Sequence, residues 1–234
     1  MKTRLTKGKL SKNVAFSTSG LLPKPPVSEP VTCYVIFASS LKRAENLFLL
    51  GQSPSAKTDK INKEILDARR AAIVLAVAAL DAYVRTFVVE KILAKLADLK
   101  QNVPTKLKEK AKDFLGHDGL FEAARNGDLG SRLGKAFRES FEEKSFQGVR
   151  NIDEAMKLIG YEDVFHMIAL SASVNEDHLK RDLGRFTKRR HLIAHCGDFD
   201  LNQTPPKEND ISDDEVKTCI EIVKRVADEI HKLK

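Results

Sequence analysis

The sequence predicts an all-α protein built as an elaborated antiparallel helical bundle. Three observations carry that expectation. Apolar residues recur at spacings of three and four in one window after another, the signature of a helix with one buried face. Ala, Leu, Lys, Glu and Arg are abundant, whereas Gly (12) and Pro (8) are sparse, a mixture that favours helix. No segment alternates convincingly between apolar and polar residues. CYVIF at 33–37 comes closest, and a helix can absorb it. With 234 residues, 42% of them hydrophobic, the chain can bury a core of its own.

Residues 1–30 read as a basic, proline-rich, flexible tail. Only lysines and arginines carry charge before Glu29, and Pro23, Pro25, Pro26 and Pro30 fall close together. Proline donates no backbone hydrogen bond, so such a stretch stays extended. Residues 31–234 read as a single helical domain. Its first helix sets Phe37, Leu41, Ala44, Leu47 and Phe48 at helical spacings and stops at Gly51. A long helix follows, from about 58 to 99. Its middle, AAIVLAVAAL at 71–80, is apolar all round and therefore buried, and it is too short to span a bilayer. Asp81 and Arg85 lie one turn apart there and can pair.

Residues 104–145 form a helical insertion with breaks at 116–119 and 126–130. Ile152, Ala155, Met156 and Ile159 then mark a helix stopped by Gly160. A further helix covers 175–195, residues 199–211 read as a loop, and Ser212 with Glu215 forms a capping box for the last helix. The core face of that helix is Val216, Cys219, Ile220, Val223, Val226, Ala227 and Ile230.

Composition narrows the functional classes. Cys33, Cys196 and Cys219 are far apart, odd in number and in no CxxC pair, which argues against a disulfide framework or a zinc knuckle and for a reducing, cytoplasmic setting. No secretory signal and no membrane segment is apparent. The net charge of +7 permits contact with nucleic acid without requiring it.

The chemistry concentrates in the helix at 175–195. Leu179, Leu183, Phe186 and Ile193 make an apolar face with one vacancy, at Arg190. In helical projection Arg190 lies about 20° from Leu179, so a guanidinium stands where a leucine is expected. A buried cation needs a carboxylate, a phosphate or a cleft; Asp81 is a possible partner, and snorkelling to water is another outcome. His191 and His195, one turn apart, have a spacing that metal ligands use, and a third ligand would have to come from Cys196, Asp198, Asp200 or a distant helix. Cys196 beside His195 could form a nucleophile pair, although sequence neighbours point different ways on a helix. The remaining option is phosphate chemistry. A histidine near neutral pKa moves the proton, and an arginine fork stabilises charge on the phosphoryl oxygens. Arg190 and His195 are about 140° apart on an ideal helix. They converge only if the helix unwinds near Gly197 or if a two-fold mate supplies the missing half. Lys180, Arg181, Arg185, Lys188 and Arg189 would then line the approach of a polyanion; otherwise they are a solvated helix face.

RHLIAH at 190–195 resembles the Arg–polar–three residues–His motif of the HEPN superfamily, with His191 at the polar position. AALDAYVR at 78–85 and SFQGVRNIDEAMKLIG at 145–160 are similar to segments of its RiboL-PSP branch, and the resemblance covers roughly 35–234. It implies a HEPN-type bundle, a homodimer with a composite cleft, and a metal-independent endoribonuclease without cofactor, often a toxin paired with an antitoxin or an antiviral defence effector. Carried onto this chain, Arg190 stabilises the scissile phosphate, His195 is the acid/base residue, and His191 orients the site or contacts RNA. Arg181, Arg185, Lys188 and Arg189 bind substrate. Asp81 has no place in the motif and is kept as a partner for Arg190. The products would be a 2′,3′-cyclic phosphate and a 5′-OH. Some HEPN domains lack catalysis and bind RNA, nucleotides or a protein instead.

Overall fold

A computed structural model describes residues 32–50, 52, 59–97 and 102–233. The tail predicted at 1–30 lies outside the described residues. Among them are eight helices and one short hairpin: α1 (Cys33–Leu50), α2 (Asp59–Ala97), α3 (Thr105–Asn126), α4 (Leu129–Glu142), α5 (Val149–Leu158), α6 (Val164–Ala172), α7 (Glu176–Cys196), β1 (Phe199–Asp200), β2 (Lys207–Glu208) and α8 (Asp213–Lys232). The all-α bundle predicted from the sequence is the architecture observed.

α2 is the axis of the molecule, and α1, α4, α5, α7 and α8 all pack against it. Its length of 39 residues corresponds to about 58 Å. Ala72, Ile73, Ala76, Val77, Leu80, Val84, Val88 and Ile92 are almost fully buried, as the all-round apolar pattern requires. By length and composition α2 could cross a membrane, but these side chains are enclosed by its neighbours, which makes it a core helix. α1 contributes Phe37, Leu41, Ala44 and Phe48, and α8 contributes Val216, Cys219, Val223, Val226 and Ile230 to the same core.

Residues 105–142 form two helices, α3 and α4, that pack against each other. The break predicted at 116–119 is present: Gly116 leaves helical geometry at φ 67° and ψ 176° and kinks α3, a conformation open to glycine. Phe114, Phe137, Phe141 and Phe146 form a chain of edge-to-face contacts with centroids 4.9–5.8 Å apart, which joins α3 and α4 to the segment before α5.

Residues 199–211 depart from the predicted loop. Phe199 pairs with Glu208 and Asp200 with Lys207 as an antiparallel ladder, too short to leave an alternating pattern. The capping box is half realised. The Ser212 hydroxyl accepts from the Glu215 amide at 3.1 Å, while the Glu215 carboxylate turns to Arg189.

Candidate active site

α7 begins as its sequence directs. The Asn175 side chain accepts from the His178 amide at 2.9 Å, and Glu176 and Asp177 sit in the first turn, where the helix dipole favours acids. Leu179, Leu183 and Phe186 are buried, and Ile193 is half-buried. Thr187 donates its hydroxyl to the Gln147 carbonyl at 2.8 Å, which latches the segment before α5 to the turn that precedes Arg190.

Arg190 is half-buried. Its Nε is buried and has no hydrogen-bond partner, and among the described residues no carboxylate pairs with its guanidinium. Asp81 is not its partner: that carboxylate accepts from the Phe146 amide and pairs with Arg85 at 3.3 Å. The Asp81–Arg85 pair is thus the one the spacing predicts, whereas an Asp81–Arg190 pair does not form, because Phe146 claims the second carboxylate oxygen.

Arg189, expected to bind substrate, is committed elsewhere. Its Nη2 donates to Asp198 Oδ2 at 2.8 Å and to the Asp210 carbonyl at 2.8 Å, and its Nη1 lies 4.0 Å from Glu215. Asp198 has no exposed surface. The same Oδ2 accepts from Arg70 Nε of α2 at 2.9 Å. Arg70 also donates to the Asn209 carbonyl at 3.0 Å and pairs with Glu208 at 3.1 Å. Burial alone would lower the Arg70 pKa, but the hydrogen bond to Asp198 and the charges of Glu208 and Asp198 outweigh it and raise it above its ordinary value. Asn209 closes the cluster, with its amide and side chain donating to the Asp198 carbonyl at 2.9 and 2.7 Å.

This cluster forms a clasp. Gly197 and Asp198 both take positive φ, 60° and 67°, so the chain reverses as soon as α7 ends, and the reversal tucks Asp198 back against Arg189. The hexapeptide 190–195 is therefore pinned at both ends, by Arg189 just before it and Asp198 just after it. The sequence offers Asp198 only as a possible metal ligand and does not single out Arg70; the structure joins them in an ion pair at 2.9 Å. The Gly-Asp pair at the helix end was the available signal; the partner 128 residues away gave none.

His191 and His195 are exposed. Their rings lie 4.4 Å apart at 43°, and neither makes a hydrogen bond or an ion pair among the described residues. The pair has no third ligand: among those residues no group of three or more His, Cys, Asp or Glu side chains is arranged to hold a metal ion. Cys196 is half-buried and makes no hydrogen bond to His195. Of the remaining cations, Arg185 and Lys188 are exposed without an acidic partner among the described residues, and Arg181 touches the adjacent Asp182 at 3.3 Å. Arg190 and His195 are not brought together within one chain by any local unwinding, since α7 stays helical through Cys196.

Comparison with known proteins adds one finding. The model of the family described as RiboL-PSP-HEPN matches residues 39–233. No curated protein and no solved structure gives a significant match.

Proposed function

Because this chain belongs to the RiboL-PSP branch of the HEPN superfamily, whose domains are often ribonucleases, we propose that it is a metal-independent endoribonuclease acting as a homodimer. The observation that carries this reading is Arg190. A half-buried guanidinium left without a carboxylate is costly, and a bound phosphate supplies the missing partner through a bidentate fork.

The reaction is an internal transesterification. The 2′-oxygen attacks the adjacent phosphorus, the P–O2′ bond forms and the P–O5′ bond breaks, leaving a 2′,3′-cyclic phosphate and a 5′-OH. His195 accepts the 2′-hydroxyl proton or returns one to the departing 5′-oxygen, the general acid–base role of an imidazole. Arg190 stabilises the charge that builds on the non-bridging oxygens. His191, one turn before His195 and facing solvent, contacts the RNA beside the scissile phosphate.

Arg190 and His195 point about 140° apart on a continuous helix, so the site is composite, with Arg190 of one protomer meeting His195 of its mate across a two-fold axis. A role as a toxin held by an antitoxin, or as an antiviral effector, fits such an enzyme. The test is cleavage of total RNA in EDTA by the wild type, Arg190→Ala and His195→Ala. Cleavage by the wild type alone supports the ribonuclease. If all three are inert while the wild type binds RNA, the chain is a binding module.

A further inference from the structure

We propose that the cleft between the end of α4 and α5 binds a small zwitterion with an apolar body, the chemistry of a free aromatic amino acid, and that a ligand there steadies the turn of α7 before Arg190. None of the residues lining the cleft belongs to α7. The site is therefore separate from Arg190 and His195, and its existence does not depend on the ribonuclease reading.

The cleft has an apolar floor. α4 ends at Glu142 and α5 begins at Val149. The segment between them brings the Phe146 ring to Phe141, with centroids 4.9 Å apart at 68°, and both rings are buried. Ala155 of α5 and the half-buried Leu158 line the same space. The short side chain of Ala155, itself only 2% exposed, leaves open what a leucine would fill. The cavity measures about 480 Å³, within the range of small-molecule pockets, in which an apolar lining supplies area and a few polar groups fix orientation. The edges and faces of two phenylalanines suit a flat ring.

The charges at the mouth decide the class of ligand. Lys110 pairs with Asp113 at 3.4 Å, and Glu154 pairs with Arg150 at 2.9 Å. Glu143 and Lys144 are the other two charged residues on the lining. Both are exposed, and neither makes an ion pair among the described residues. A polyanion meets no excess of cations here, and an uncharged apolar molecule leaves both charges unused. A zwitterion uses both, its carboxylate on Lys144 and its ammonium on Glu143, while its apolar body covers the floor.

The wall that carries these residues is a strap held from three helices. From α2, Arg85 Nη2 donates to the Lys144 carbonyl at 3.0 Å, and Asp81 accepts from the Phe146 amide. From α5, Asn151 Nδ2 donates to the Ser145 carbonyl at 2.6 Å. From α7, Thr187 donates to the Gln147 carbonyl at 2.8 Å, three residues before Arg190. A ligand against Lys144, Ser145 and Phe146 binds the strap in this latched form and opposes its local opening.

The test uses the full-length protein and L-phenylalanine. Calorimetric titration should give one saturable site per chain. For a ligand of about a dozen non-hydrogen atoms the dissociation constant should be about 1 mM or tighter. 3-Phenylpropionate, which lacks the ammonium, and phenethylamine, which lacks the carboxylate, should each bind about 2- to 5-fold more weakly, as should phenylalanine to Lys144→Gln or Glu143→Gln. Glycine, without the apolar body, should not compete. Ser145→Trp places a ring in the cleft from an exposed position and should abolish binding with unchanged circular dichroism. Amide exchange in the wild type should slow at 144–148 on saturation. No saturable binding, binding unchanged in Ser145→Trp, or slowing confined to another region overturns the site. Equal affinity for phenylalanine and 3-phenylpropionate overturns the zwitterion, and displacement of phenylalanine by oligouridylate assigns the cleft to RNA and overturns it too. Saturating phenylalanine should also change the rate of RNA cleavage by the wild type and not by Ser145→Trp; an unchanged rate with proven binding overturns the link to Arg190. Wild-type protein that binds phenylalanine as stated and cleaves no RNA defeats the ribonuclease reading and leaves the site standing.

Discussion

Near the end of α7, Arg189 and Arg70 converge on one oxygen of the buried Asp198 at 2.8 and 2.9 Å. One residue along, Arg190 has no carboxylate partner among the described residues, and on the exposed face Arg185, Lys188, His191 and His195 have none among them either. The clasp satisfies its charges internally and fixes backbone; the neighbouring residues leave theirs free. Two adjacent arginines of the same helix therefore have opposite energetic characters. Charge count along the sequence does not separate them; the location of the nearest carboxylate does.

The largest effect expected from breaking the clasp is on stability. Asp198→Ala removes the carboxylate that the buried Arg70 and the half-buried Arg189 share, and loss of one partner of such a pair costs about 3–5 kcal/mol. Denaturant unfolding should show it, and amide exchange should speed up through 197–211 before the rest of the bundle. Arg190→Ala tests the other side of the comparison. It removes a cation that no carboxylate stabilises, so unfolding should change little, while the RNA cleavage rate falls about 100- to 1,000-fold. A large loss of stability in that variant would mean that Arg190 has a structural role like that of Arg189.

Asp81→Ala should cost about 1–3 kcal/mol by leaving the buried Phe146 amide without its acceptor. Its effect on cleavage should be smaller than that of Arg190→Ala, since Asp81 holds the segment before α5 and not the guanidinium.

A smaller effect separates core from motif by thiol reactivity. Burial, aided by Glu90, pushes the Cys33 thiol up to about 12, and burial does the same to Cys219. At neutral pH a thiol reagent should therefore modify Cys196 alone in the native protein, and all three cysteines in denaturant. The smallest effect concerns acid. Lys232, then Ser171, holds the Glu229 carboxyl below its ordinary value of 4.5. A depressed carboxylate contributes stability that is present above 4.5 and lost as pH falls through the folded value. Glu229→Gln should therefore lower stability near neutrality and flatten the acid limb of a stability–pH curve.

The helices were legible because each buries a continuous stripe, and α8 shows this most clearly, from the Ser212 cap to Ile230. Arg190 was legible as an anomaly because it interrupts such a stripe. Two features were not. Arg189 looks solvated on a helical wheel, since its partners, Asp198 and Asp210, follow the helix and reach it only after the chain reverses at Gly197. Arg70 reads as the polar border of an apolar run, yet it is 6% exposed because the segment at 197–211 folds over it. Asp81 misled for a related reason: a carboxylate near a vacant arginine is a reasonable pairing until a backbone amide from a distant segment takes it. Sequence periodicity reports what a residue does within its own helix. These three roles are set by segments 65–139 residues away or by a turn.

The central claim is that Arg190 of one protomer and His195 of its mate make one site. Its most direct test is complementation. Arg190→Ala and His195→Ala, each inactive alone, are mixed at equal concentration under conditions that allow subunit exchange, and RNA cleavage is measured in EDTA. A composite site predicts recovery to about one quarter of wild-type activity, because half the dimers are mixed and each restores one of two sites. No recovery, with exchange verified by native mass spectrometry, would contradict it.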